Sequence, residues 1–277
     1  GINIMAQHRL SDKHWESFKK VIFYTFCGLV CVFLIMPNFI VVPISFSGAR
    51  FLEFPPKSYS WQWYKNYFET EEWIAATITS FEVAVLVTIC ATILGSLAAY
   101  GLVRGRFPGK NIINSFIISP MVTPVLVTAV AVYKIYSDLG LTGTLLGFTL
   151  AHTIMALPFV VIVMSANLRG INVEVEQAAR SLGANRITTL RRVVFPLALP
   201  GMIAGGLFAF LISFDELIIA LFISSPTLST LPKKLWDGLR TEINPTIAAV
   251  STLLVILSVV ILLGAGWARK HFEKKTQ

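Results

Sequence analysis

Six apolar runs divide this chain, at about residues 21–46, 74–103, 112–136, 145–168, 201–223 and 246–268. A helix rises about 1.5 Å per residue, so roughly 20 apolar residues cross the hydrocarbon core of a bilayer. Each run reaches that length. The expected fold is an all-α polytopic membrane protein with six transmembrane helices. Composition agrees: 55% of residues are hydrophobic and 14% charged, where a soluble domain carries about a quarter charged. The spans take up residues 21–268, between an N-terminal segment at 1–20 and a tail at 269–277. The first run is long enough to stay as an anchor.

The net charge is +8. The basic residues lie between the runs, without the interleaved aromatics of a nucleic-acid surface, so no nucleic-acid partner is expected. An even number of spans puts both termini on one side. That side holds 16 Lys and Arg and the other holds 7. The positive-inside rule makes the richer side, with both termini, cytoplasmic. Cys27, Cys31 and Cys90 sit inside apolar runs and read as small buried hydrophobes, not as a metal or disulfide framework.

The first outer loop, PPKSYSWQWYKNYFETEEW, carries Trp61, Trp63, Tyr64, Tyr67 and Trp73. Amphipathic rings favour the headgroup level, which predicts an interfacial helix here. Proline interrupts the runs at Pro37, Pro43, Pro120, Pro124 and Pro158, predicting kinks. GMIAG, at 201–205, followed by Gly206 and Ala209, predicts a face for close helix packing.

The segment EVEQAARSLGANRITTLRRVVFPLALPG, at 174–201, cannot span a bilayer. VEQAARSL favours helix, Gly183 terminates it, and RITTLRRVVF restarts it ahead of Pro196 and Pro200. Ala178, Ala179 and Gly183 are small enough to let a partner approach closely. From the residues alone this is either a docking face or an ordinary basic membrane-surface loop.

This segment resembles the EAA loop of ABC-importer permeases. Gln177-Ala178-Ala179 is followed after three residues by Gly183, and nine residues later by Val193-Val194-Phe195-Pro196. Gln177 replaces the usual Glu, with Glu176 one place earlier. SFDELIIALFISSP and TLPKKLWDGLRTEINPTIAAVSTLL resemble the spermidine/putrescine branch of those permeases. The resemblance implies a type I importer fold with cytoplasmic coupling helices in the loop at 169–200. It implies docking by Glu176, Gln177, Ala178, Ala179 and Gly183 into a cytoplasmic ATPase dimer. It also implies a second permease subunit, as a heterodimer, and an extracytoplasmic solute-binding protein. GRFPGKN, at 105–111, is no phosphate loop: three residues separate its glycines and Asn111 stands where a magnesium-holding hydroxyl belongs. No cofactor is therefore expected on this chain. ATP and Mg belong to the partner, and the chain is expected to be non-catalytic.

Three acids fall within the runs: Glu82, Asp215 and Glu216. Carboxylates at such depth face a cavity or a partner. Glu82 and Asp215 are each expected ~12 Å from the outer end of a span. No Lys or Arg lies at that depth, so a transported cation or a partner subunit is the expected counter-charge. Phe210 and Phe214 would supply apolar walls. In the outer segment before the last run, Lys233, Lys234, Trp236 and Arg240 read as a contact for the solute-binding protein. The leading reading is a permease that moves a polyamine or related small cation into the cell across the inner membrane. A proton-coupled transporter using Glu82, Asp215 and His152 is the alternative. A non-transporting scaffold would have no reason to keep the acids.

Overall fold

The computed structural model describes residues 2–241 and 244–276, with side chains for 19–241, 244–261 and 263–264. The outermost parts of the basic flanks that enter the charge count therefore lie outside the described side chains. The elements are α1 (Ile2–Ser45), α2 (Gln62–Glu69), α3 (Glu71–Arg104), α4 (Lys110–Val122), α5 (Val125–Leu139), α6 (Leu145–Gly170), α7 (Val173–Ser181), α8 (Arg186–Thr189), a π turn (Leu190–Val194), α9 (Phe195–Phe214), α10 (Ile218–Ile223), α11 (Leu231–Thr241) and α12 (Thr246–Thr276). By their contacts they form two units, residues 1–65 with 244–255, and residues 66–243 with 256–277.

Every apolar run is helical, but not every run is one straight span. Among the described residues four helices are long and apolar enough to cross a membrane alone, and the α4–α5 pair makes a fifth if counted as one. That pair bends by 101° at Thr123–Pro124, the geometry of a broken span or a re-entrant loop and not of one straight helix. Thr123 is extended (φ −72°, ψ 131°), because a following proline excludes the helical region. Of the prolines expected to kink, only Pro124 marks such a break. Pro37, Pro43, Pro120 and Pro158 sit inside their helices. The sixth run lies within α12 (Thr246–Thr276).

The fifth run departs further. Its helix starts at Arg186 and ends at Phe214, not at 201 and 223. The π turn joins α8 to α9 by a bond from the Phe195 N–H to the Leu190 carbonyl. It directly precedes Pro196, whose ring would clash with the carbonyl four residues back in a regular helix.

In the first unit, Ser47 and Tyr59 pair in an isolated antiparallel bridge. Trp63 Nε1 donates to the Ser47 carbonyl (2.7 Å), and Phe46, Trp61 and Tyr64 cluster, with Phe46 edge to face on Trp61 and Tyr64 tilted against both. The aromatic loop thus does form a helix, α2, while some of its rings serve local packing.

The core of the second unit is α3 against α6 and α9. Two of these helices bury rows spaced four apart: Val83, Val87, Ala91, Gly95 and Ala99 on α3, and Phe148, His152, Ala156, Val160, Met164 and Leu168 on α6. Such i+4 rows are the ridges by which helices interdigitate. The small-residue face of α9 packs as its sequence predicts, with Gly201, Gly205, Gly206 and Ala209 all buried. Val160 sits between Gly95 and Gly205, where added Cβ atoms would lie 2.7 and 3.2 Å from its Cγ1.

Candidate functional site

Asn172 opens α7 by accepting the Glu174 N–H on its side-chain oxygen (3.0 Å). Gly183 closes the helix in the left-handed region, with φ 87°. The Gly183 N–H donates to the Arg180 carbonyl and the Ala184 N–H to the Ala179 carbonyl. These are the two bonds of a Schellman cap, which needs a residue that tolerates positive φ. Asn185 then caps α8, accepting from Thr188 N–H at 2.8 Å. The helix, glycine, helix reading of the sequence is therefore the observed geometry.

One carboxylate ties this loop to the end of α3. Arg104 Nε donates to Glu176 Oε1 at 2.7 Å, and Tyr100 donates to Oε2 at 3.2 Å. A second guanidinium nitrogen of Arg104 donates to the Ile171 carbonyl at 2.7 Å. Glu176 is 3% exposed. Its expected role as a surface docking contact is thus corrected: it faces inward because Arg104, which ends α3, needs a buried counter-charge. Gln177, Ala178 and Gly183 are exposed and Ala179 is half-buried, so these remain as the outward face. Sequence spacing could not pair residues 72 apart, although a span that ends in Arg beside an acid-led helix was the available signal.

The outer acids separate into two roles. The fifth span stops at Phe214, and Asp215–Leu217 form a break before α10. The depth expected for Asp215 assumed helix to residue 223 and so does not apply. Glu216 Oε1 accepts the Ile219 N–H at 2.9 Å, capping the six-residue α10. It satisfies one of the orphan donors that every helix start leaves, so one of its two oxygens is engaged within the chain. Asp215 and Glu82 are exposed, and neither has a basic partner among the described residues. Phe81 meets Phe210 edge to face (5.7 Å), and Phe210 stacks on Phe214 (5.5 Å, 13° between planes). Glu82 follows Phe81 and Asp215 follows Phe214, so one aromatic row has a carboxylate next to each end.

On α11, Lys233 pairs with Asp237 (2.5 Å) and Lys234 pairs with Glu72 and lies over the Trp73 ring. Both lysines are paired within the chain. The i,i+4 spacing of Lys233 and Asp237 made the first pair readable. Trp236 and Arg240 are exposed. Ser80 Oγ accepts from the Leu231 N–H (2.8 Å) and anchors the start of α11 on α3. His152 is fully buried and joins α6 to α9 through Nδ1 and Ser213 Oγ (3.0 Å). No described contact links it to Glu82, Asp215 or Glu216, so the relay of the proton-coupled alternative lacks a connection among the described residues.

Residues 91–277 match the family described as binding-protein-dependent transport system inner membrane component. The chain belongs to this family. It is a multi-pass membrane protein and a transport subunit. Among its relatives, the Haemophilus influenzae spermidine/putrescine transport system permease protein PotC is 32% identical over 86% of this chain and 92% of its own length. The Escherichia coli (strain K12) putrescine transport system permease protein PotI is 32% identical over 80% of this chain and 82% of its own. The fold is shared with a chain of a bacterial alginate ABC transporter solved with its pentasaccharide-bound periplasmic protein (TM-score 0.70, 16% identity, 91% of this chain and 95% of that one). The all-α permease fold of type I ABC importers, expected from the loop, is thus the fold this family member has.

Proposed function

We propose that this chain is the permease subunit of an ABC importer that carries a polyamine or similar small cation inward. The α7–α8 loop carries the assignment: an exposed face of Gln177, Ala178 and Gly183 is fastened to a span by the Arg104–Glu176 pair. A partner that pushes on that face moves the span. That partner is a cytoplasmic ATPase dimer, which holds ATP and Mg and performs the hydrolysis. A second permease subunit completes the path as a heterodimer, and both termini are cytoplasmic. An extracytoplasmic solute-binding protein meets Trp236 and Arg240.

The cation preference rests on Glu82 and Asp215 at either end of the row of Phe81, Phe210 and Phe214. Ammonium groups separated by methylenes suit separated carboxylates with apolar, π-bearing walls between them. Both named polyamine relatives point the same way.

The test is ATPase activity and uptake in proteoliposomes holding the chain with its co-expressed neighbours. Stimulation is expected to rise from a monoamine to a diamine to a triamine and to be absent with a neutral sugar. Equal stimulation by the sugar would remove the cation assignment. Uptake driven by a pH gradient without ATP would remove the importer assignment. Docking is tested separately by Ala178→Trp, which fills the exposed face without touching Gly183 and should release the ATPase.

A further inference from the structure

A cleft of about 480 Å³ lies where α3 ends and the α7–α8 loop begins. Arg104, Arg106, Arg180 and Arg186 line it, with Tyr100 and Leu190. Arg104 is engaged by Glu176, but Arg106, Arg180 and Arg186 have no carboxylate partner among the described residues. Three uncompensated guanidiniums around one space make a site for an anion, and they would repel a polyamine. The cleft is therefore not part of a cation path.

Tyr100 and Leu190 also line a second cavity of about 180 Å³, which runs between α3, α6 and α9. Its other walls are apolar, including Leu97, Met164, Leu168, Val194 and Phe195. A basic cleft at the end of a span, sharing two wall residues with an apolar groove along that span, offers the two chemistries of a phospholipid. Basic pockets of this kind between spans on the cytoplasmic side hold anionic headgroups, and guanidinium matches phosphate in a forked pair of hydrogen bonds.

We propose that an anionic phospholipid binds here, with its phosphate among Arg106, Arg180 and Arg186 and an acyl chain in the groove beyond Tyr100 and Leu190. Because the loop forms one wall of the cleft, the lipid braces the docking loop against α3 beside the Arg104–Glu176 clamp.

The test uses the assembled complex purified from membranes and reconstituted in nanodiscs of phosphatidylglycerol or of phosphatidylcholine. Lipid retained after detergent exchange is counted by native mass spectrometry. The parent is expected to retain phosphatidylglycerol and not phosphatidylcholine. The triple variant R106Q/R180Q/R186Q, which leaves the clamp intact, should lose about a hundredfold in phosphatidylglycerol affinity. Leu97→Trp fills the groove without touching an arginine and should weaken retention as well. Equal retention of the two lipids overturns the proposal. So does displacement by glycerophosphate as effective as by lipid, which would make the site one for a free phosphate. Loss of the ATPase subunit from the triple variant with lipid retention unchanged would assign the arginines to protein docking instead.

Discussion

Two helix interruptions, one at 182–185 and one at 215–217, look alike as gaps but are built differently. The first stands between α7 and α8 and depends on residue type. Gly183 supplies a positive φ of 87° and Asn185 supplies the next cap. The second stands between α9 and α10 and contains neither glycine nor proline. Asp215 (φ −95°, ψ −1°) and Leu217 (φ −101°, ψ −45°) remain in the right-handed region. What holds that break is a side chain, the Glu216 carboxylate on the Ile219 N–H. A break made by backbone demand exposes a surface that is stiff. A break made by a carboxylate cap places charge beside an aromatic row and costs no backbone strain.

The largest expected effect falls on the first break. Arg104→Leu leaves Glu176 buried without its partner, a change worth about 3–5 kcal/mol. A lowered Tm of the complex and rapid trypsin cleavage at Arg180 and Arg186 would record it. An unchanged Tm with a resistant loop would mean that packing alone holds α7 in place. Next comes Gly183→Ala. The added Cβ meets nothing within 4 Å, so the penalty is purely conformational, about 1–2 kcal/mol. The same loop cleavage reads it, and alanine at Leu217 should produce no comparable loss.

The second break is probed through its charge. Asp215→Asn keeps shape and removes the counter-charge, and about 1.4 kcal/mol lost there is tenfold in uptake of a diamine. Assembly and basal ATPase should stay at parental levels. Uptake equal to the parent would leave Asp215 with no part in the path. The smallest effect is on Glu216. Glu216→Leu removes the cap for about 1 kcal/mol, while Glu216→Gln keeps an acceptor and most of the stability. Hydrogen exchange at the Ile219 amide separates the two variants.

The contrast also explains what could be read from the chain alone. Run length located the apolar helices but not the bounds of the fifth, and Gly183 and the 201–209 small-residue face announced their geometry, because each is a local demand of the backbone or of close packing. Pro124 announced its break for the same reason. The Arg104–Glu176 pair could not be read, since its partners are brought together by the packing of α3 beside the loop. The capping role of Glu216 could not be read because a carboxylate in an apolar run has two uses, as a charge in a path or as a hydrogen-bond acceptor, and the second depends on where α9 ends. The pairing of Lys234 was hidden similarly, its partner Glu72 being distant in sequence.

The junction of α8, the π turn and α9 has a mechanical consequence. From Arg186 to Phe214 the chain is one helix of 29 residues, a rod about 43 Å long at 1.5 Å per residue. Its near end belongs to the docking loop and its far end carries Phe210 and Phe214. Pivoted near its base, a rod of that length tilting by about 10° carries its tip roughly 7 Å, more than one helical turn. That stroke exceeds the 5.7 Å between the Phe81 and Phe210 rings. A small displacement of the loop can therefore part Phe210 from Phe81, making the helix a lever whose short arm is in the α7–α8 loop and whose long arm ends at the aromatic row.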